Sequence, residues 1–257
     1  MRGNSMAAAA ALLVSVCCAI GAMAGEKGNT PQSRHGSGAR FVDLSHTIEH
    51  GMTTYKGLPP PVITDFLSRE ASRKNYAPGT EFSISTITMV ANTGTYLDTP
   101  FHRYAGGKDL SQLDLARVAD LEGVVIRAGN DRAITPEHFA NVDVRGKAVL
   151  VHTGWDRHWG TEAYQVDSPY LTAAAAKYLI DHGAVVVGID SRNIDDTRDA
   201  ARPVHTALLA AEIPLIEHLC NLQALPTEGF RFFAVPVQVR GMGTFPVRAF
   251  AVLAPAG

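Results

Sequence analysis

Residues 92–102 read Asn-Thr-Gly-Thr-Tyr-Leu-Asp-Thr-Pro-Phe-His, an amide, hydroxyls, a phenol, a carboxylate and an imidazole in one short run. Asp98 and His102, four positions apart, are types that can hold a divalent metal or pass a proton. Two plainer roles compete: Asp98 capping the turn TPFHRY, and His102 as a half-buried polar side chain. His205 and Glu217 follow much later, twelve positions apart. Glu217 lies in the apolar run PLIEHL, where a buried carboxylate needs a cation, a metal or hydrogen-bond donors. His205 stands at a helix start, where surface packing would also account for it.

The elements that must position these groups can be read from pattern. FSISTITMV (82–90) is β-rich and predicts a strand leading into the motif. Gly94 loosens the following turn and Pro100 stiffens it, so Asp98 is expected just after that strand, sharing a loop with His102. GVVIRA (123–128) and KAVLVHTG (147–154) read as buried strands. SPYLTAAAAKYLIDHG (168–183) predicts a helix stopped by Gly183, followed at once by the strand AVVVGID (184–190). VHTALLAAEIP (204–214) predicts a short helix closed by Pro214, after which PLIEHL is extended. FRFFAVPVQV and FPVRAFAVL each predict a strand. The sum is a mixed α/β chain with more strand than helix. Phe101, Tyr104, Trp155 and Trp159 are candidates to wall a small planar substrate, with ordinary packing as their alternative.

At 257 residues, 46% hydrophobic, the chain has apolar material for one large domain or two small ones. A net charge of −2 without any basic run gives no footing for nucleic acid or an anionic membrane surface. The N-terminus differs in texture. MRGNSM precedes the apolar run AAAAALLVSVCCAIGAMA, and Ala22-Met23-Ala24 supplies small residues where a signal peptidase reads. Residues 1–24 are therefore read as a signal peptide, with an uncleaved anchor as the alternative. The expected product is periplasmic or secreted, free of the membrane after cleavage. It has a flexible leader at 25–40 and one domain at 41–257. Cleavage leaves Cys220 as the sole cysteine, so no internal disulfide forms, and without C-x-x-C there is no thiol metal or redox motif. G-x-S-x-G, phosphate-loop and G-x-G-x-x-G signatures are also missing.

Taken together, these stretches resemble the cyclase family of metal-dependent hydrolases, which includes bacterial kynurenine formamidases and isatin hydrolases. Residues 92–102 run in the register of the family motif H-x-G-T-H-x-D-x-P-x-H and match it at Gly94, Thr95, Asp98, Pro100 and His102. The likeness also takes in DLSHTIEHGMTTYKGLPPP, HTGWDRHWGT, VVVGIDSRNID, HTALLAAEIPLIEHLCNL and FPVRAFAVL. It implies a swivelling β/β/α fold with a mixed sheet, homodimers or homotetramers, and hydrolysis of small amides or cyclic amides. It also implies one or two divalent metals, usually zinc or manganese. Carried over by position, Asp98, His102, His205 and Glu217 stand where the family's metal-ligating and proton-transfer groups stand. Asn92 and Tyr96 occupy the places of its first two histidines, and both are poorer ligands for zinc-type ions than imidazole.

Three readings follow. In the first, one metal ion, manganese or zinc, is held by some three of Asp98, His102, His205 and Glu217. His102 then shuttles a proton if it is not a ligand, and Asn92 and Tyr96 turn to the substrate or oxyanion as donors. In the second, His102 with Asp98 or Glu217 activates water without metal. In the third, the protein is a small-molecule-binding relative without turnover.

Overall fold

Short β-branched runs separated by turns build the core. In a computed structural model, residues 38–255 are described; the expected signal segment and the leader to residue 37 lie outside them. The described chain begins with strand β1 (Arg40–Asp43) and leaves as a ribbon of β2 (Val62–Leu67), helix α1 (Arg69–Ser72) and β3 (Ile84–Thr88). The motif follows as β4 (Tyr96–Asp98). Next come β5 (Leu121–Arg127), β6 (Ala133–Ile134), β7 (Ala148–His152), β8 (Tyr170–Leu171) and helix α2 (Ala173–Asp181). The chain closes with β9 (Val186–Ile189), helix α3 (Pro203–Ala210), β10 (Leu215–Glu217), β11 (Phe230–Phe233), β12 (Thr244–Pro246) and β13 (Phe250–Leu253).

Nine strands form one mixed sheet in the order β1-β13-β11-β5-β7-β9-β10-β4-β12. Neighbours β5, β7, β9 and β10 run parallel, and the flanking pairs are antiparallel. The central strands are apolar on both faces. Val124, Ile126, Val149 and Val151 point into a core shared with α2 and α3, while Val125, Ala148 and Leu150 point into a second core on the opposite face. The sheet is curled. β12 lies at one edge and β13 next to the other, yet Pro246 and Phe250 are four residues apart, a span of at most roughly 14 Å. A bridge from Ser45 to Leu219 closes the same seam.

The structure moves several expected boundaries. FSISTITMV yields β3, but this strand pairs only with β2 and is exposed along its whole length, outside the main sheet. The motif has its own three-residue strand instead. The helix expected from 168 starts at Ala173, because residues 170–171 pair with β6 and Thr172 takes the cap, accepting from the Ala175 backbone N–H. FPVRAFAVL divides into β12 and β13, which serve opposite ends of the sheet order. Strand still exceeds helix, and the mixed α/β class holds.

Candidate functional site

Cross-strand register assembles the polar floor. Tyr96 lies opposite Glu217 on β10, and Asp98 lies opposite Thr244 on β12. Leu97 and Ile216, between them in sequence, turn to the far core. Asp98 is thus the last residue of β4, not a loop residue after a strand, and His102 ends the one-turn helix Pro100–His102. Gly243 makes this arrangement possible. A Cβ there would lie 2.2 Å from the His102 backbone nitrogen, so only glycine lets the strand before Thr244 pass so close.

Thr244 hydroxyl contacts both Asp98 Oδ1 and, at 2.7 Å, His102 Nδ1. A hydroxyl has one proton; given to the Asp98 carboxylate, it leaves the oxygen to accept from His102 Nδ1–H. His102 then keeps a lone pair on Nε2. His102 is about one-third exposed and Asp98 is fully buried. Asp98 does not cap the turn, since Thr99 holds the N-cap position and makes no side-chain cap.

Helix α3 brings the buried His205 over the same floor. Asp195, in the loop after β9, accepts from the backbone N–H groups of Val204 and His205 and takes His205 Nδ1 at 2.6 Å. The opposite ring nitrogen, Nε2, lies 3.7 Å from both Asp98 Oδ2 and Glu217 Oε1. Burial opposes an imidazolium here, but Asp195, Asp98 and Glu217 overcome it and push His205 up to about 10. Glu217, almost wholly buried, is raised above the ordinary carboxylate range by burial and by Asp98, with His205 pulling the other way. Its Oε1 accepts from Ile194 N–H at 2.7 Å and its Oε2 from Tyr96 hydroxyl at 2.5 Å. Burial, then the Glu217 charge, holds Tyr96 well above the usual phenol range, so it stays a donor. Asp98 Oδ2 is buried with no hydrogen-bond partner among the described residues.

A cavity of about 500 Å³ opens above this floor, lined among others by Asn92, Tyr96, His102, His205 and Glu217. Five of the six sequence-selected residues therefore face one space, with Asp98 beneath it. Asn92 is half-buried at the wall. The expected aromatic walls do not line it. Tyr104 hydroxyl is tied to Thr206 carbonyl, Trp155 indole to Tyr164 carbonyl, and Trp159 stacks on His46. Phe101 is also absent from the lining, and Tyr55 and Tyr96 supply the aromatic surface. Tyr55, Asn193, Arg103, Arg202, Asp195 and Thr244 escaped the sequence reading. Asp195 had a signal, an acidic residue ahead of a helix start; Thr244 had none before the β4–β12 register was known.

The family model described as "Putative cyclase" matches residues 42–196. The chain belongs to the cyclase family. Kynurenine formamidase of Geobacillus thermodenitrificans is 27% identical over 211 residues, covering 81% of this chain and 95% of the relative. Among solved structures, isatin hydrolase A from Labrenzia aggregata, bound to benzyl benzoate, superposes with a TM-score of 0.71 at 24% identity, over 84% of this chain and 94% of its own. A protein described as a potential metal-dependent hydrolase with cyclase activity gives 0.70 at 24%, over 85% and 100%. These likenesses place the curled mixed sheet among cyclase-family folds, as the sequence resemblance implied.

Proposed function

We propose that this protein is a metal-dependent hydrolase of a small amide, cyclic amide or related ester. One observation carries the reading: Asp98 Oδ2, buried and without a hydrogen-bond partner among the described residues, faces His205 Nε2 and is grouped with His102 within 4.8 Å at the floor of a cavity. An orphaned buried carboxylate oxygen is costly unless a cation serves it. The 3.7 Å separations of Nε2 from Asp98 and Glu217 are long for hydrogen bonds. They suit ligands of one ion, which at bond lengths of about 2.1 Å stand roughly 3.4 Å apart. Asp98, His102 and His205, with Glu217 beside them, would hold a divalent ion, and this mixture of imidazole and carboxylate suits zinc or manganese. Such an ion polarises a carbonyl and lowers the pKa of water.

The chain's own groups have separate tasks. Asp195 fixes the His205 ring and its tautomer, as outer-shell carboxylates do for metal-binding imidazoles. Tyr96 holds Glu217 in place through its hydroxyl, and Asn92 offers its amide to the substrate from the wall. His102, its Nδ1 held by Thr244 and its ring partly exposed, would present Nε2 to the ion from the cavity face. The names of the relatives, a formamidase and an isatin hydrolase, support an amide or cyclic amide substrate.

Metal analysis of the purified protein paired with a screen of formanilides, isatin-like lactams and small esters tests this. Stoichiometric metal with turnover is the expected outcome; tight ligand binding without turnover on any of them would make it a binding relative. We also propose export, which predicts a mature N-terminus at Gly25 by intact mass, a retained Met1 being the contrary result. A homodimer or homotetramer is proposed from the ribbon of β2 and β3, whose exposed Val62, Ile63, Phe66, Ile84 and Ile87 are unusual for a lone surface hairpin. Light scattering at micromolar concentration should show no monomer.

A further inference from the structure

We infer that His218 is a positioning residue of the site, whose ring holds the phenols of Tyr55 and Tyr96 against Glu217. This rests on the hydrolase reading above, in which Glu217 stands beside the ion. His218 follows Glu217 directly and is fully buried, yet it does not line the cavity. Its backbone is pinned on both sides. The N–H donates to Ser191 carbonyl at 3.3 Å, and the carbonyl accepts from the hydroxyl of Thr95, the residue before Tyr96, at 2.5 Å. From that anchor the ring enters a space between four aromatic side chains. Tyr55 meets it edge to face, with centroids 5.2 Å apart and planes at 87°, and Tyr96 meets it tilted at 5.2 Å and 57°. Trp159 at 5.5 Å and Tyr164 at 5.7 Å complete the surround.

Hydrogen bonding accounts for only one edge of this ring. Nδ1 meets Tyr164 hydroxyl at 2.8 Å, while Nε2 is buried with no hydrogen-bond partner among the described residues. Burial first, then His46 and Arg192, hold the imidazole well below the usual histidine range, so the ring is neutral and acts by its shape. Its neighbours give that shape a task. Tyr55 and Tyr96 both line the cavity, and their hydroxyls, 3.1 Å apart, converge on Glu217 Oε2 at 3.3 and 2.5 Å. A phenol that swings by roughly 1 Å turns the Tyr96 bond into a contact of about 3.5 Å, where a hydrogen bond is all but lost. Space behind the two phenol rings would permit that swing; the imidazole fills it. An inert filler would make the same contacts, but only a ring that aims the phenols is coupled energetically to the Tyr96 hydroxyl.

His218→Asn tests this, because asparagine tolerates the left-handed backbone at 218, φ 57°, and removes the ring without adding strain. Metal affinity by calorimetric titration with zinc or manganese should fall about tenfold, the lower end for outer-shell partners of metal ligands. At saturating metal, kcat should fall while KM stays within about twofold, since the cavity lining is untouched. A double-mutant cycle with Tyr96→Phe separates aiming from filling. In the His218→Asn background Tyr96→Phe should lower metal affinity by less than about threefold, against about tenfold or more in the wild type. The same cycle in urea, on metal-free protein, should show the Tyr96→Phe loss in unfolding midpoint cut by about half or more. Tyr164→Phe, which removes the hydrogen bond but leaves the ring surrounded, should lower the urea midpoint and change metal affinity by less than about threefold. Wild-type metal affinity in His218→Asn, full additivity in the cycle, or a Tyr164→Phe loss of affinity equal to that of His218→Asn would overturn the inference. If the wild type binds no metal, the metal-dependent reading fails by itself. The metal-free cycle then decides: a halved loss keeps the positioning role, and an equal loss in both backgrounds discards it.

Discussion

Deleting a single oxygen, Tyr96→Phe, probes the link between the replaced family histidine and the site. Tyr96 hydroxyl donates to Glu217 Oε2 at 2.5 Å. Tyr55 hydroxyl is 3.3 Å from the same oxygen, but its one proton has a closer acceptor, Arg192 carbonyl at 2.6 Å. Removing the Tyr96 hydroxyl therefore leaves Oε2 of a buried carboxylate without a good donor, while the phenyl ring keeps the packing. Hydrogen bonds to charged groups contribute about 1.5–3 kcal/mol, and every 1.4 kcal/mol is about tenfold in an equilibrium. The metal-free variant should lose about 1–3 kcal/mol in urea unfolding. Metal affinity and kcat/KM should each fall by about 10–100-fold, as for other outer-shell partners of metal ligands. Circular dichroism and urea melts measure the first, and calorimetric metal titration with steady-state kinetics measures the second. A Tyr96→Phe protein with unchanged stability, metal affinity and kinetics would refute the assignment and leave Tyr96 as packing.

Further outcomes follow from other contacts. His46 is held down at about 4, by burial first, against the raising effect of Asp156. The unfolded chain, with histidine near 6.5, binds more protons between those values, so stability should be full above pH 6.5 and fall as pH drops toward 4, by about 3 kcal/mol from this residue. His46→Phe, which keeps the stack on Trp159 and removes a buried unpartnered nitrogen, should flatten that slope in urea titrations; an unchanged slope would contradict it. Gly243→Ala should cost about 1–3 kcal/mol and lower turnover, because the new Cβ drives into the His102 backbone; wild-type stability with wild-type kcat would count against it. Asn92→His with Tyr96→His should raise zinc affinity yet reduce turnover, since Glu217 loses its phenol donor; higher affinity with higher turnover would show instead that the natural residues merely vacate a ligand position.

Periodicity made the parallel centre of the sheet legible. GVVIRA, KAVLVHTG and AVVVGID became β5, β7 and β9 with small boundary shifts, because strands buried on both faces must be apolar throughout. Asp98, His102, His205 and Glu217 were candidates by residue type, each with a plain structural alternative, and it was the resemblance that placed them in one frame. What brings them together was not legible. Glu217 meets Tyr96, and Asp98 meets Thr244, through non-local strand register, and no local pattern encodes the pairing of 215–217 or 244–246 with 96–98. FSISTITMV folds as the strand β3, but it pairs with β2 outside the main sheet and Asp98 stands on a strand of its own, because β propensity reports a pleated conformation and not which sheet receives it. Arg202 gave no warning either, since its left-handed backbone violates the preference by which such positions are recognised.

Metal titration of chelated protein, with turnover followed in the same samples, should show one manganese or zinc ion bound per chain and hydrolysis restored in proportion to metal bound. Asp98→Asn and His205→Gln should lose both. Hydrolysis that survives exhaustive chelation, or stoichiometric metal binding that persists in both variants, would contradict metal-dependent hydrolysis at this site.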